Sequence, residues 1–181
     1  MKTPAEKFGG GPIVIAEYDS GWPDLFDQEK EAVRAALGKL VLAVEHIGST
    51  AIPGLPAKPI IDLLVGIRSL AEARARAIDP LVQLGYVYIP EYESWLPDEL
   101  FFRKGVPGPP THHVHVMEPA NPRWADHLRF RDYLRGHPGT AAAYADLKKS
   151  LAHRFGEEIG AYRDAKDDFV RDVLARARAG R

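Results

Sequence analysis

Two apolar runs, Leu40 to Ile47 and Pro59 to Ile67, are joined by Gly48-Ser49 and a short Pro/Gly-rich excursion through Pro53-Gly54-Leu55-Pro56. Their near-continuous hydrophobicity predicts two strands, both central in a sheet and covered on both faces. The second run carries one carboxylate, Asp62, amid Ile61, Leu63, Leu64 and Val65. A carboxylate inside such a strand is costly unless a cation, a hydrogen-bond donor or a metal holds it. The Gly48-Ser49 turn can offer backbone N–H groups and a hydroxyl to an anion if a short helix begins at Ser49 or Thr50. Together these features point to a site for a metal and a phosphorylated ligand.

The chain has 181 residues, 45% hydrophobic and 27% charged, enough for one globular domain with a sizeable core. A flexible tail over 1–12 and one domain over 13–178 are expected, with the helical part at 121–178. A net charge of −1 argues against holding nucleic acid by bulk electrostatics, while leaving room for a local basic pocket. The absence of cysteine excludes disulfides, thiolate metal ligands and a Cys nucleophile. No run approaches the roughly 18 apolar residues of a membrane helix, and Met1 to Gly11 has no signal-type apolar core. A cytoplasmic protein without membrane contact is the expectation.

Along the chain, Ile13 to Glu17 reads as a short strand. A turn at Asp19 to Trp22 leads into a helix reaching about Leu37, with Pro23 near its first position. Ser69-Leu70-Ala71-Glu72 is a capping box, predicting one helix from there to near Gly85. Tyr86 to Ile89, Leu100 to Arg103 and Thr111 to Met117 read as strands. Alternation in the last places His113 and His115 on one face, with Val114 and Val116 on the other. From Asn121 onward three helices are predicted, over 121–136, 138–155 and 158–178. The order is a mixed α/β layer followed by a helical third.

Asp62 is the first candidate ligand for a divalent metal, since phosphoryl-transfer ions want hard oxygen donors on a rigid element. His113 and His115, at i and i+2, can share a metal with that carboxylate or serve in acid–base chemistry; His112 is a third neighbour. His46 is a weaker candidate. Lys58 would flank a phosphate bound at Ser49. Arg131 and Lys166 each fall on an apolar helical stripe, where a cation wants a carboxylate or a phosphate. Each has an ordinary alternative: a capping aspartate, structural histidines, snorkelling cations, or an ion pair of Arg131 or Lys166 with a residue such as Asp62 or Asp132. The sequence carries no P-loop, no dinucleotide-binding glycine motif, no serine-hydrolase elbow and no zincin helix.

The run from His46 to Asp62, the Thr111 to Val116 strand and the segment Leu128 to Arg135 together resemble the signature of the GrpB family. Tyr18, Trp22-Pro23 and Phe26, and Tyr162, Lys166 and Phe169, fit it as well. The resemblance covers about residues 13–175. It implies the nucleotidyltransferase-like superfamily: an α/β (α+β) fold with a mixed β-sheet flanked by helices, Gly-Ser opening a helix and acidic residues on the following strands. Some relatives are fused to dephospho-coenzyme A kinase. The chain departs from the superfamily in carrying Leu64 where a second strand carboxylate is usual. A one-metal site of Asp62 with one or both of His113 and His115 is then the expectation, and imidazole donors move the preference from Mg²⁺ toward Mn²⁺, Zn²⁺ or Ni²⁺. Glu45 could add an oxygen. Gly48, Ser49, Thr50, Lys58, Arg131 and Lys166 would hold a nucleotide's phosphates. The expected activity is metal-dependent nucleotidyl or phosphoryl transfer from a nucleoside triphosphate to an acceptor. A nucleotide- or metal-binding module that has lost catalysis is the alternative. A metal-dependent hydrolase built on His113, His115 and Asp62 is a third reading. The implied partner is a nucleotide-type small molecule.

Overall fold

A computed structural model describes residues 12–105 and 108–180. The expected tail, apart from Pro12, lies outside the described residues. Five strands form one sheet: β1 (Val41–Ile47), β2 (Ile61–Ile67), β3 (Tyr86–Tyr88), β4 (Leu100–Lys104) and β5 (His112–Met117). Their order is β1-β2-β5-β4-β3, with β2 and β5 parallel and every other neighbouring pair antiparallel. β2 and β5 are therefore flanked on both sides. β1 is an edge strand rather than a central one, with Leu42 exposed and a register irregularity between Val41 and Ala43. Its apolar run is explained by two covered faces near its C-terminal end, not by a central place.

One face packs on α1 (Trp22–Leu37), α2 (Leu70–Arg76) and α3 (Ile78–Gln83). Phe26, Val33 and Leu37 of α1 meet Leu63 and Val65 of β2, Val114 and Val116 of β5 and Phe102 of β4. Each such side chain contributes roughly 1.5–3 kcal/mol by burial. The Ser69 hydroxyl caps α2 by accepting from Glu72 N at 3.3 Å, as the capping box predicts. The single helix expected up to Gly85 is split after Arg76, because Pro80 has no N–H to continue the ladder from the preceding turn. Residues Ile13 to Glu17 form only an isolated bridge, Ala16 to Ala57, instead of a strand.

The helical third contains α4 (Pro122–Gly136), α5 (Pro138–Phe155), α6 (Ile159–Asp164) and α7 (Asp167–Arg178). The first two match expectation closely. The third, expected unbroken over 158–178, is interrupted between Asp164 and Asp167, and Lys166 stands at that break. On the sheet's second face, Trp124 and Leu128 of α4 cover Ile47, Leu64 and Met117. Gly66 permits this approach: a Cβ there would lie 2.9 Å from the Trp124 ring. Tyr133, Leu134, Tyr144 and Val173 close over Ile52 and Leu55 in the β1–β2 connection. The helices thus cover one end of this face and wall the other, where Asp62 lies.

Candidate metal centre and its cationic surroundings

Cross-strand register assembles the site. Ile47, Asp62, His113 and Arg103 are successive partners across β1, β2, β5 and β4, so the last three side chains share one face. Two residues along, Glu45, Leu64, His115 and Phe101 form the next row. Asp62, His113 and His115 offer ligand atoms that all lie within 4.8 Å of one another. Asp62, the second residue of β2, is thus explained by the imidazole beside it: His113 Nδ1 to Asp62 Oδ1 is 3.0 Å.

Burial alone would raise the Asp62 pKa, but the His113 hydrogen bond and the nearby imidazoles hold it below the ordinary carboxylate value. Burial in turn pushes His113 down, against the pull of Asp62. The consistent state is an ionised Asp62 accepting from His113 Nδ1–H. His113 Nε2 then carries a lone pair, and it is buried with no hydrogen-bond partner among the described residues.

His115 repeats the arrangement with a different carboxylate. Its Nδ1 lies 2.5 Å from Glu99 Oε1, and Glu99, only 1% exposed, also pairs with Arg123 at 2.6 Å. Burial lowers His115, but Glu99 outweighs it and the net shift is upward. Glu99 itself is lowered, since His115 and Arg123 outweigh its burial. Phe101 packs against both imidazoles, at 5.2 Å from the His113 ring and 4.9 Å from that of His115. Tyr92, on the short helical turn Pro90–Ser94, stacks on Phe101 at 4.2 Å.

Gly48 closes the other side of Asp62. It sits at φ +71°, and a Cβ there would lie 2.2 Å from Asp62 Oδ2. The chain therefore passes so near the carboxylate that only glycine fits. One 3₁₀ turn, Ser49–Ala51, follows. Ser49 lies beside the buried Tyr144 hydroxyl. The Thr50 hydroxyl, expected near phosphate, instead donates to Ile60 O at 3.0 Å and meets His46 Nε2 at 3.0 Å. His46 points to the opposite face and stacks on Phe26.

The cations divide into two kinds. Arg131, expected to face phosphate, is engaged by the fold: it donates to Glu45 at 2.8 Å, to His46 O at 3.0 Å and to Asp132 at 2.7 Å. Glu45 is on the Asp62 face but committed to that pair. Lys58 and Lys166 lie over the Tyr162 ring at 5.5 and 4.4 Å, and neither is in an ion pair with a described carboxylate. Burial and the Lys58 charge lower Lys166 to about 8, with Asp62 opposing. Burial likewise lowers Lys58. Lys148, 2% exposed, donates to Pro56 O at 2.5 Å and lies over the Tyr144 ring. Burial first, then Lys166 and Lys149, push it to about 7.

Sequence reasoning missed Glu99, Arg103 and Lys148. Glu99 stands in a loop-like Pro97-Asp98-Glu99 stretch, and Lys148 precedes a second lysine on an amphipathic helix. Arg103 did carry a signal, since Arg103-Lys104 ends the apolar run from Leu100 to Phe102.

The residues fit a divalent transition ion. One carboxylate and two imidazoles, each imidazole held through Nδ1 by a carboxylate, are the donor and supporting groups such ions take. The orphaned His113 Nε2 is a lone pair in want of an acid. No helix among the described residues is long and apolar enough to cross a membrane.

The GrpB protein family model matches residues 12–176. UPF0157 protein YqkA of Bacillus subtilis is 40% identical over 166 residues, covering 92% of this chain and 47% of YqkA. The chain thus spans about half the length of that relative. Glutamate-rich protein GrpB of Alkalihalophilus pseudofirmus is 33% identical, over 91% of this chain and 95% of the relative. The crystal structure of the conserved protein GrpB from Enterococcus faecalis superposes with a TM-score of 0.83 at 37% identity, covering 91% of this chain and 96% of that one.

Proposed function

The chain belongs to the GrpB family, and from its site we propose that it is a divalent-metal-dependent nucleotidyl or phosphoryl transferase acting on a nucleoside triphosphate. The observation that carries this reading is the adjacency of an Asp62/His113/His115 donor cluster to two lysines without carboxylate partners. A cluster of hard and imidazole donors beside unpaired ammonium groups matches a metal-bound polyphosphate better than any neutral ligand.

In this reading Asp62, His113 and His115 hold the ion, which when bound neutralises charge developing on the phosphoryl oxygens. Ser49 and the Gly48 backbone orient the phosphates from the β1 side. Lys58 and Lys166 oppose their charge; with its pKa near 8, Lys166 is substantially protonated at pH 7 and more so once an anion arrives. Both imidazoles would face the ion through Nε2, with Asp62 and Glu99 fixing the rings of His113 and His115 through Nδ1. Tyr92 and Phe101 exclude water from one side of the imidazoles.

One observation favours a second reading, a binding module without turnover. Leu64, at the position of the usual second carboxylate, is fully buried among Ile47, Met117 and Trp124. A two-metal clamp on attacking and leaving oxygens has no second carboxylate there.

The test is a thermal-shift and turnover panel with the four ribonucleoside triphosphates, each with Mg²⁺, Mn²⁺ or Zn²⁺, on wild type and Asp62→Asn. A nucleotide at 100 times its Kd stabilises by about 2.7 kcal/mol, which moves Tm by roughly 5–10 °C in a chain of this size. A metal-dependent shift with product formation, both lost in Asp62→Asn, supports the transferase. A shift without product supports the module. No shift with any nucleotide and metal overturns both.

A further inference from the structure

Arg103 is 6% exposed, yet no described carboxylate lies within 4 Å of it and its Nε has no hydrogen-bond partner. The one nearby group favouring its charge is the Tyr92 hydroxyl, and burial pulls its pKa down. The other well-buried charges among the described residues have partners. Glu99 has His115 and Arg123, Glu29 has Lys104 and Tyr86, and Lys148 has the Pro56 carbonyl. A guanidinium cannot shed its proton to escape burial, so an unpaired one persists only where a counter-ion visits it. The second orphan is its cross-strand neighbour: Arg103 faces His113 in the β4–β5 register, and His113 Nε2 is likewise buried without a partner. Arg103 presents N–H donors, whereas His113 Nε2 presents the lone pair left by its Nδ1–H, so of the two it is the guanidinium that calls for an anion.

We infer that Arg103 forms an anion subsite beside His113, on the opposite side of the donor cluster from Gly48-Ser49, and that it takes a planar or tetrahedral oxyanion, a carboxylate or a phosphate. The strand order separates the two ends. From Gly48 next to β1, through Asp62 on β2 and His113 on β5, to Arg103 on β4 is about three strand spacings of roughly 4.8 Å. A triphosphate seated at Gly48, Ser49 and Lys166 does not need Arg103 at that distance; of the groups assigned to it, Lys58 is the one that feels the Arg103 charge. The oxyanion at Arg103 belongs to the second substrate, so the acceptor carries a negative charge near its reacting group. That the anion belongs to an acceptor rests on the transferase reading; the subsite itself rests on Arg103, buried and without a described carboxylate partner. Tyr92, stacked on Phe101 and near Arg103, gives that substrate an aromatic wall.

The test uses wild type, Arg103→Met and Arg103→Lys, with inorganic phosphate and acetate as probes, and reads the melting temperature with and without each anion. Removing an unpaired buried cation relieves the ligand-free protein, so Arg103→Met melts at or above wild type in the absence of anion. Its affinity for the anion that stabilises wild type falls about 10- to 100-fold, the loss expected for a charge-assisted hydrogen bond, and Arg103→Lys falls between. Phosphate and acetate arms tell a phosphorylated acceptor from a carboxylate one. A wild type that neither anion stabilises, or an Arg103→Met that keeps wild-type anion affinity, overturns the subsite. So does an Arg103→Met that melts well below wild type while Arg103→Lys does not, since that is the mark of a structural arginine. None of these results depends on nucleotide binding. A failed nucleotide panel with an intact anion shift removes the transferase and leaves the subsite.

Discussion

Replacing Gly48 with alanine tests the site's tightest contact. Two costs add. At φ +71° and ψ −173° the backbone lies in a region kept for glycine, and a side chain held there costs about 1–3 kcal/mol. The new methyl would also lie 2.2 Å from Asp62 Oδ2 and 3.0 Å from its Cγ, well inside contact distance. Forcing such a group into a packed site costs about 1–3 kcal/mol more. The sum, about 2–6 kcal/mol, corresponds to roughly 5–20 °C in Tm for a chain of this length. Gly54 is the internal control. It has φ +77°, but a methyl there would meet nothing within 4 Å, so Gly54→Ala carries the strain alone. The contact part is isolated by a double-mutant cycle with Asp62→Ala, which removes the carboxylate the methyl would strike. The expected coupling is about 1–3 kcal/mol, with Gly48→Ala less harmful in the Asp62→Ala background. Urea denaturation of the four proteins and the Gly54 control at pH 7 measures each quantity. Equal costs for Gly48→Ala and Gly54→Ala, with coupling below about 0.5 kcal/mol, would refute the close approach of backbone to carboxylate.

Burial lowers His46 to about 4, whereas the unfolded chain binds that proton near 6.5. Between these values the unfolded state holds the extra proton, so the stability from neutral His46 is complete above pH 6.5 and is lost as pH falls toward 4. That loss amounts to about 3 kcal/mol for this residue. His46→Phe keeps the stack on Phe26 and should lose correspondingly less between pH 7 and 4 in urea titrations; parallel curves for the two proteins would contradict this. Glu99→Gln leaves all three metal donors in place but weakens the acceptor that orients His115. Mn²⁺ affinity measured calorimetrically should fall about 10- to 100-fold, the usual penalty for losing such a supporting group; unchanged affinity would mean that His115 needs no orienting carboxylate.

The strand that carries Asp62 and the alternation that places His113 and His115 together were legible, because both follow from period-two geometry and from the cost of a carboxylate in an apolar run. All five strands fall within two residues of the expected bounds. The edge position of β1 was not legible, since hydrophobicity reports covered faces and not hydrogen-bonded neighbours. The break before Lys166 was hidden by the continuing apolar stripe of Tyr162, Phe169 and Val173. Arg131 and Lys166 looked alike in sequence, each a cation on an apolar stripe. What separates them is Glu45, 86 positions from Arg131 in the chain and 2.8 Å from it in space. Glu99 was invisible for the same reason, and Arg103, though it ends an apolar run, could not be told from Lys104 beside it: their meaning lies in cross-strand and loop contacts that no local pattern encodes.

The most direct test of the metal centre is equilibrium dialysis of wild type and Asp62→Asn against Mn²⁺ and Zn²⁺, with bound metal counted by elemental analysis. One ion per wild-type chain, and little in Asp62→Asn at the same free concentration, is the predicted result. A wild type that retains no metal, or an Asp62→Asn that retains as much, would contradict the assignment of Asp62, His113 and His115 as its ligands.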